Sequence, residues 1–547
     1  MTTEDALPLQ KMNRREFLAL SVLGTLPCIL AACQGGTRGS GNPTPTSYIT
    51  SRPSPTRQLS PTDADWRMLA RNLQGTLVRP DSPLYPRAYR LFSPRFDNIR
   101  PAAVAYCVSP ADVQACLSFV RQFGLPFAPR AGGHSYAGYS TSNGLVLDVS
   151  RMSTVTVNAD ARTITVGAGT PLINVYAALA QYSLVLPAAS CSTVGIAGVT
   201  LGGGVGVLSR KFGLTCDNLL AAQVVVADGR VLTCDASHEP TLFWALRGGG
   251  GGNFGVVTSL TFQSHHVSTL SLCTLDWSWS NAADVVDAWQ NWAPHVPDEL
   301  WSDCLLLATS DKSSNPVVRV NGVYVGDVAS LDSLLVQLTN QISIAPVSRY
   351  LSEVGILETM LIEAGCYGMT VGECHLPNQN PNGQVQRDTY SAKSDYFSNT
   401  LPRQGIDMLV SAISHRQMSS KLGKGGILLD AYGGALNRVA ADATAFVHRN
   451  ELFSAQYLAS WNTNDSNSVV STNHSWLAET WQSMRQYASG AAYQNYIDPE
   501  LANWQSAYYG ANLPRLQSIK TAYDPDNLFH FRQSIPPTSG SEESPDR

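Results

Sequence analysis

Five consecutive glycines, Gly248 to Gly252, followed by Asn253-Phe254-Gly255, constrain this chain more than any other stretch. A packed strand or helix gains nothing from losing that many side chains, and each glycine loses backbone entropy on ordering. The run therefore predicts a loop laid closely against a ligand. A second glycine loop, Gly202-Gly203-Gly204-Val205-Gly206, and a shorter turn, Arg130-Ala131-Gly132-Gly133-His134-Ser135, lie upstream. Turns of this kind bring backbone N–H groups close to an anion such as a pyrophosphate. Two reactive side chains accompany them: His134 behind its glycine pair, and Cys191 in Cys191-Ser192-Thr193-Val194-Gly195. Singly, a histidine in a turn is usually structural and a cysteine usually a small buried hydrophobe. Their combination points to a cofactor.

In order and approximate spacing these segments resemble the berberine bridge enzyme-like oxidoreductases, which carry the FAD-binding fold of the p-cresol methylhydroxylase and vanillyl-alcohol oxidase group. The resemblance runs from about Arg100 to Pro537, and Trp244 to Val257 is similar to the family segment W-x-x-R-G-G-G-x-N-F-G-V-V that closes over the cofactor. It implies an α+β fold, with a two-part FAD-binding domain and a substrate domain built from an antiparallel sheet and covering helices. It also implies that FAD is bonded twice, from His134 to the flavin 8α-methyl and from Cys191 to C6, on opposite edges of one isoalloxazine ring. By the same resemblance Arg130, Ala131, Gly132, Gly133, Ser135, Tyr136, Val194, Gly195, Gly198, Gly202, Gly203, Gly204, Gly206, Gly255, Val256, Val257 and Asn495 are the cofactor's neighbours.

Oxidising an alcohol C–H needs a hydride acceptor, which the flavin supplies, and a base for the hydroxyl proton. Leu429-Asp430-Ala431-Tyr432-Gly433-Gly434 resembles the strand in which an acidic or amide residue faces the flavin, and Tyr493-Gln494-Asn495-Tyr496 resembles the segment supplying an active-site tyrosine. Tyr493 is therefore expected as the base, with Asp430 accepting or orienting its proton, because a free phenol near pKa ~10 is a poor base at neutral pH. Two departures from the family accompany this: Val199 stands where many relatives have histidine, and Val205 where they have tyrosine. Val194 occupies a position at which valine in relatives tends to admit oxygen to the flavin and leucine to shield it. An oxidase releasing hydrogen peroxide is the expectation, with a dehydrogenase using a membrane electron carrier as the alternative. The hydroxyl-bearing substrate would be a carbohydrate or a secondary metabolite; the 11 tryptophans suit sugar stacking, although most tryptophans fill cores.

With 547 residues, 44% of them hydrophobic and 14% charged, the chain can bury a substantial core. A net charge of −5 without a basic stripe removes the electrostatic basis for binding nucleic acid. Asn13-Arg14-Arg15-Glu16-Phe17-Leu18 opens an apolar run to Ala32 that resembles a twin-arginine signal ending in a lipobox at Leu30-Ala31-Ala32-Cys33. The run is shorter than the ~20 residues that span a bilayer. The resemblance implies cleavage before Cys33, lipid attachment there, and display outside the cytoplasm on a bacterial membrane; a start at Met12 would shorten the leader. A solute-binding lipoprotein would share this anchor, but would leave the pairing of His134 with Cys191 unexplained. Of the 11 cysteines, Cys107, Cys116, Cys216, Cys234, Cys273, Cys304, Cys366 and Cys374 remain after Cys28, Cys33 and Cys191, with no tight metal-ligand cluster and no pairing fixed by spacing.

Along the chain, residues 1–33 read as signal, 34–60 as a Gly/Pro/Ser/Thr-rich linker, 61–265 as the FAD-binding domain, 266–499 as the substrate domain, 500–537 as a segment returning to the first domain, and 538–547 as a disordered tail. Trp66, Leu69, Leu73 and Leu77 have helical spacing. A strand from Ala103, a Ser109-Pro110 cap, a helix to Phe123 and a strand into Arg130 lead to the first glycine turn. Asp228-Gly229 marks a hairpin.

Overall fold

The computed structural model describes residues 60–538, and the expectations for the signal, the lipidation site Cys33, most of the linker and most of the tail lie outside them. Within the described residues the fold is α+β, as expected. Three large sheets organise it, beside a two-stranded pair of Leu184–Val185 with His265–His266. A four-stranded sheet runs Thr76–Val78, Ala103–Tyr106, Leu145–Asp148, Phe127–Arg130 from edge to edge, and its last three strands are parallel. The helix Pro110–Phe123 makes the parallel crossover, starting where the Ser109 side chain accepts from the Asp112 N–H and ending at left-handed Gly124. Its strand delivers Arg130 and the first glycine turn to the sheet's end.

A five-stranded antiparallel sheet follows, ordered Val155–Asn158, Thr163–Gly167, Val256–Gln263, Leu219–Val225, Val231–Asp235. Its last two strands form the Asp228-Gly229 hairpin, with Gly229 at φ 93°. Its central strand begins where the glycine run ends. One sequence expectation fails here. The first helix is Asp63–Asn72, and Leu77 lies instead in the strand Thr76–Val78. Gly75 permits the change, because a Cβ there would stand 1.8 Å from the Tyr106 carbonyl oxygen, so only glycine lets the chain turn directly into pairing.

The third sheet has seven antiparallel strands, ordered Ser348–Val354, Leu270–Trp277, Val317–Val325, Leu300–Ala308, Gly425–Ala431, Phe453–Ser460, Tyr390–Phe397. Helices Ala282–Trp292, Val328–Thr339, Arg403–Met418 and Asn467–Met484 close one face through a core that includes Trp289, Leu331, Ile413 and Leu477. Alternation along the strands leaves the other face for polar side chains. In Leu300–Ala308, Cys304 and Leu306 are fully buried in the core beneath the helices, while Asp303 and Leu305 point the other way, into a cavity.

The chain then returns. Helix Leu513–Tyr523 packs on helix Pro240–Ala245, and Leu516, Ile519, Phe529 and Ile535 join the core of the first two sheets. The buried Lys520 ammonium donates to the carbonyls of Asn253 (2.8 Å) and Phe529 (2.6 Å) and to the Asp524 carboxylate (2.6 Å), which pins the end of the glycine run to the C-terminal segment.

Candidate active site

Between the three sheets lies a cavity of about 980 Å³, at the upper end of the range for small-molecule and cofactor sites (about 300–1,000 Å³). The turn 130–136 and the segment 189–195 meet along its wall. Their meeting depends on glycine: a Cβ on Gly132 would lie 2.3 Å from the Gly195 nitrogen, and one on Gly195 2.5 Å from the Gly132 nitrogen. The two backbones touch because neither residue has a side chain. This contact brings His134 and Cys191 to one place. Thr193 links them, its Oγ1 standing 2.9 Å from His134 Nε2 and 3.8 Å from Cys191 Sγ. Phe92 stacks on the imidazole at 4.2 Å. Burial pushes the His134 pKa down to about 3, so the ring is neutral and keeps a lone pair at physiological pH. Burial raises the Cys191 thiol, against the hydrogen bonds from Thr193 and Val194.

Ala131, Gly133, Ser135, Tyr136, Val194, Gly198, Gly206, Gly255, Val256, Val257 and Asn495 also line the cavity. Arg130 does too, but its guanidinium is committed to Asp148 (2.5 Å) and the Ala88 carbonyl (2.6 Å), so it braces the turn rather than offering its charge. Gly202, Gly203 and Gly204 differ from the expectation and do not line it. A Cβ at these positions would run into Asn495 (2.0 Å), Phe446 (2.6 Å) and Thr215 (2.2 Å), so their glycines serve protein packing behind the wall. The five-glycine run divides likewise: Gly248 is packed under Phe446, whereas Gly251 and Gly252 face the cavity.

Tyr493 is deeply buried, and its hydroxyl oxygen accepts from the Gly204 N–H (3.0 Å), the Val205 N–H (3.2 Å) and Asn495 Nδ2 (2.9 Å). Asp430 is not among its partners, which corrects the expected Tyr493–Asp430 couple. Burial outweighs the three donors and holds the Tyr493 pKa up to about 12. Asp430 lies on the polar face of the seven-stranded sheet, directly opposite Asp303 on the neighbouring strand. Burial first, then the charge of Asp303, raises its pKa to about 7. Asp303 receives a 2.9 Å bond from Asn321 Nδ2, and burial lifts it to about 6.

Sequence reasoning missed Asp303 and Glu363, both of which line the cavity. An aspartate at an inward position of the alternating strand Leu300–Ala308 was a usable signal for the first; no local signal marked the second. An aromatic wall completes the site. Tyr136 stacks on Tyr496 (5.3 Å), meets Tyr390 edge-on (5.0 Å) and accepts from Gln456 Nε2 at 3.0 Å.

These residues fit FAD. A Cβ on Gly198 would meet nothing within 4 Å and one on Gly251 only Leu201 at 4.0 Å, so both glycines leave room that protein packing does not use. Residues 101–235 match the FAD binding domain family, and residues 492–536 match the berberine and berberine-like family. A cavity of this form joined to that domain defines an FAD-dependent oxidoreductase. Comparison with known proteins narrows the class. The chain is 35% identical over 471 residues to YgaK of Bacillus subtilis, an uncharacterized FAD-linked oxidoreductase, covering 85% of this chain and 97% of the relative. It superposes on Physcomitrella patens BBE-like 1 with a TM-score of 0.77 at 32% identity, covering 86% and 98% of the two chains. It superposes on Phl p 4, a grass pollen allergen with glucose dehydrogenase activity, with a TM-score of 0.73 at 26% identity, covering 84% and 96%. A valine-for-isoleucine variant of that allergen, a glucose oxidase, gives a TM-score of 0.74 at 26% identity over 85% and 97%. The chain belongs to the berberine bridge enzyme-like FAD-linked oxidoreductases.

Proposed function

We propose that this protein is a bicovalently flavinylated oxidase that removes hydrogen from a hydroxyl-bearing small molecule and passes it to oxygen, giving hydrogen peroxide. The observation that carries the proposal is the cluster His134–Thr193–Cys191 on one cavity wall, joined by the Gly132–Gly195 contact. A neutral imidazole and a thiol at that spacing suit attachment at the 8α and C6 edges of one ring. FAD, when bound, supplies the hydride acceptor.

Asp430 takes the substrate's hydroxyl proton, since a carboxyl near 7 is matched to neutral pH and a phenol near 12 is not. Tyr493, its oxygen already accepting from three N–H groups, turns its own O–H outward as a donor. Val194 lines the cavity, and the contrast between the pollen allergen and its valine variant supports reading Val194 as a small gate that admits oxygen. A carbohydrate substrate is supported by the glucose chemistry of the same neighbour. Export through a twin-arginine signal and lipid attachment at Cys33 rest on the sequence motif alone; the disulfide Cys366–Cys374, a bond favoured outside the reducing cytosol, supports only an extracytoplasmic address.

Denaturing the purified protein tests the attachment. Yellow colour stays with the polypeptide in the unmodified chain and in each of His134→Ala and Cys191→Ala, and becomes extractable only when both are replaced; extractable flavin in the unmodified protein overturns it. Mixing the reduced protein with air tests the acceptor: reoxidation within seconds is expected, and persistence for minutes assigns a dehydrogenase using a membrane carrier.

A further inference from the structure

Thr193 stands between the two side chains proposed to hold the flavin. His134 and Cys191 are half-buried and line the cavity, whereas Thr193 is fully buried behind the wall. Within the described residues its hydroxyl meets two atoms, His134 Nε2 at 2.9 Å and Cys191 Sγ at 3.8 Å. The backbone around it is held firmly. Gln379 Nε2 donates to the Thr193 carbonyl at 2.9 Å, and Gly132 packs so close to that carbonyl oxygen that a Cβ there would stand 3.1 Å away. A hydroxyl has one proton to give and lone pairs with which to accept. Shut away from water, this one donates to one neighbour at a time, so the protonation states of the imidazole and the thiol are linked through it.

Nε2 is the ring nitrogen that Thr193 holds, and the Thr193 backbone also favours a proton on this imidazole. A neutral ring with its hydrogen at Nε2, donating to Oγ1, leaves the Nδ1 lone pair free to form a bond. We propose that the Thr193 hydroxyl is the proton switch of flavin attachment: it keeps the hydrogen on Nε2 while Nδ1 forms the first bond, then reverses and carries the Cys191 thiol proton to Nε2, freeing the thiolate for the second. Both bonds are those of the attachment proposed above, on which this role rests. Each bond replaces a ring-system C–H by C–N or C–S. The carbon gives up one hydrogen and the protein group another, and oxygen, the acceptor already proposed, takes both with two electrons as hydrogen peroxide. Once Nδ1 is bonded, neutral His134 has only a lone pair at Nε2, and Thr193 must turn its own O–H toward it. Threonine and serine serve both states because they accept and donate; valine serves neither. Burial holds the Cys191 thiol up against ionising unaided, while its contacts with the Thr193 hydroxyl and the Thr193 and Val194 backbone favour the thiolate once formed. Beside Cys191 also stand the phenols Tyr136, Tyr176 and Tyr390, all raised by burial and uncharged at neutral pH.

Mass spectrometry of the denatured, proteolysed full chain reads flavin on the peptides that carry His134 and Cys191. The unmodified protein and Thr193→Ser are expected to carry it on both. Thr193→Val is expected to bind flavin but to be linked at Cys191, as isolated, in a fraction at least about tenfold smaller. Incubated with FAD in air, that variant forms the Cys191 link at least about tenfold faster at about pH 9 than at about pH 7, because hydroxide then does what the missing relay did. A Cys191 link as complete in Thr193→Val as in the unmodified chain overturns the switch. So does a Thr193→Ser chain that behaves as Thr193→Val, or a linking rate in Thr193→Val that ignores pH. Where Thr193→Val does not fold, the histidyl-flavin hydrolysed from the unmodified protein decides: the Nδ1 isomer is expected, and the Nε2 isomer overturns the switch. Extractable flavin in the unmodified chain removes the attachment itself, whereas a fully linked Thr193→Val leaves the attachment standing and removes only the role of Thr193.

Discussion

Burial raises the pKa of both residues nearest the proposed chemistry, with opposite consequences. It lifts the Asp430 carboxyl into the neutral range, where it can take a proton, and it lifts the Tyr493 phenol out of reach of that task despite three N–H donors. Asp430→Asn is therefore expected to slow anaerobic flavin reduction by about 10²–10⁴-fold. Tyr493→Phe, losing one hydrogen bond to substrate, costs about tenfold, with flavin still bound. The working form of Asp430 is the deprotonated one, so kcat/KM rises with pH through about 7. Asp303→Asn removes a like charge, lowers the Asp430 pKa and moves the acid limb to lower pH; a limb that stays put or moves upward contradicts the coupling. His134 and Cys191 were legible as neighbours in the sequence because each sits beside a glycine turn, and the two turns meet at Gly132 and Gly195. Glu363 was not, because a helix docking from elsewhere carries it to the cavity, and Asp430 was assigned a partner, Tyr493, whose hydroxyl oxygen instead accepts from Gly204, Val205 and Asn495.

Local signals carried most elements. The Ser109 cap, left-handed Gly124 and the Asp228-Gly229 turn each fix backbone geometry within a few residues, and each lies where its chemistry directs. Leu77 escaped this logic because strand pairing between Thr76–Val78 and Ala103–Tyr106 overrode a helical spacing. Glycines were the harder case: Gly202 to Gly204 and Gly248 answer to neighbouring protein, and Gly198 and Gly251 to the cavity, a distinction that only the packing reveals. Cysteine spacing was equally silent on Cys366–Cys374, which closes a loop just beyond Glu363 and joins a small core with Ile173. Gln379, in the same segment, donates to the Thr193 carbonyl at 2.9 Å. Replacing both cysteines by alanine is expected to lower stability by about 2–3 kcal/mol in urea unfolding. An unchanged unfolding midpoint would show that the bridge adds nothing to the fold.

At the scale of the whole molecule, the cavity belongs to no single sheet. Its wall draws on the four-stranded sheet, the five-stranded sheet, the polar face of the seven-stranded sheet and Phe529-His530-Phe531 near the C-terminus. Lys520 ties that last piece down. Lys520→Met strands the buried Asp524 carboxylate and is expected to cost about 3–5 kcal/mol in urea unfolding, with a larger fraction of chains lacking flavin. Full flavin loading in that variant would show that closure and cofactor capture are independent. Residues 529–531 follow every other part of the cavity wall in the chain, so the pocket has no finished shape until the return segment is in place. Cofactor capture thus waits on the strap that Lys520 fastens, whatever the order in which the three sheets form.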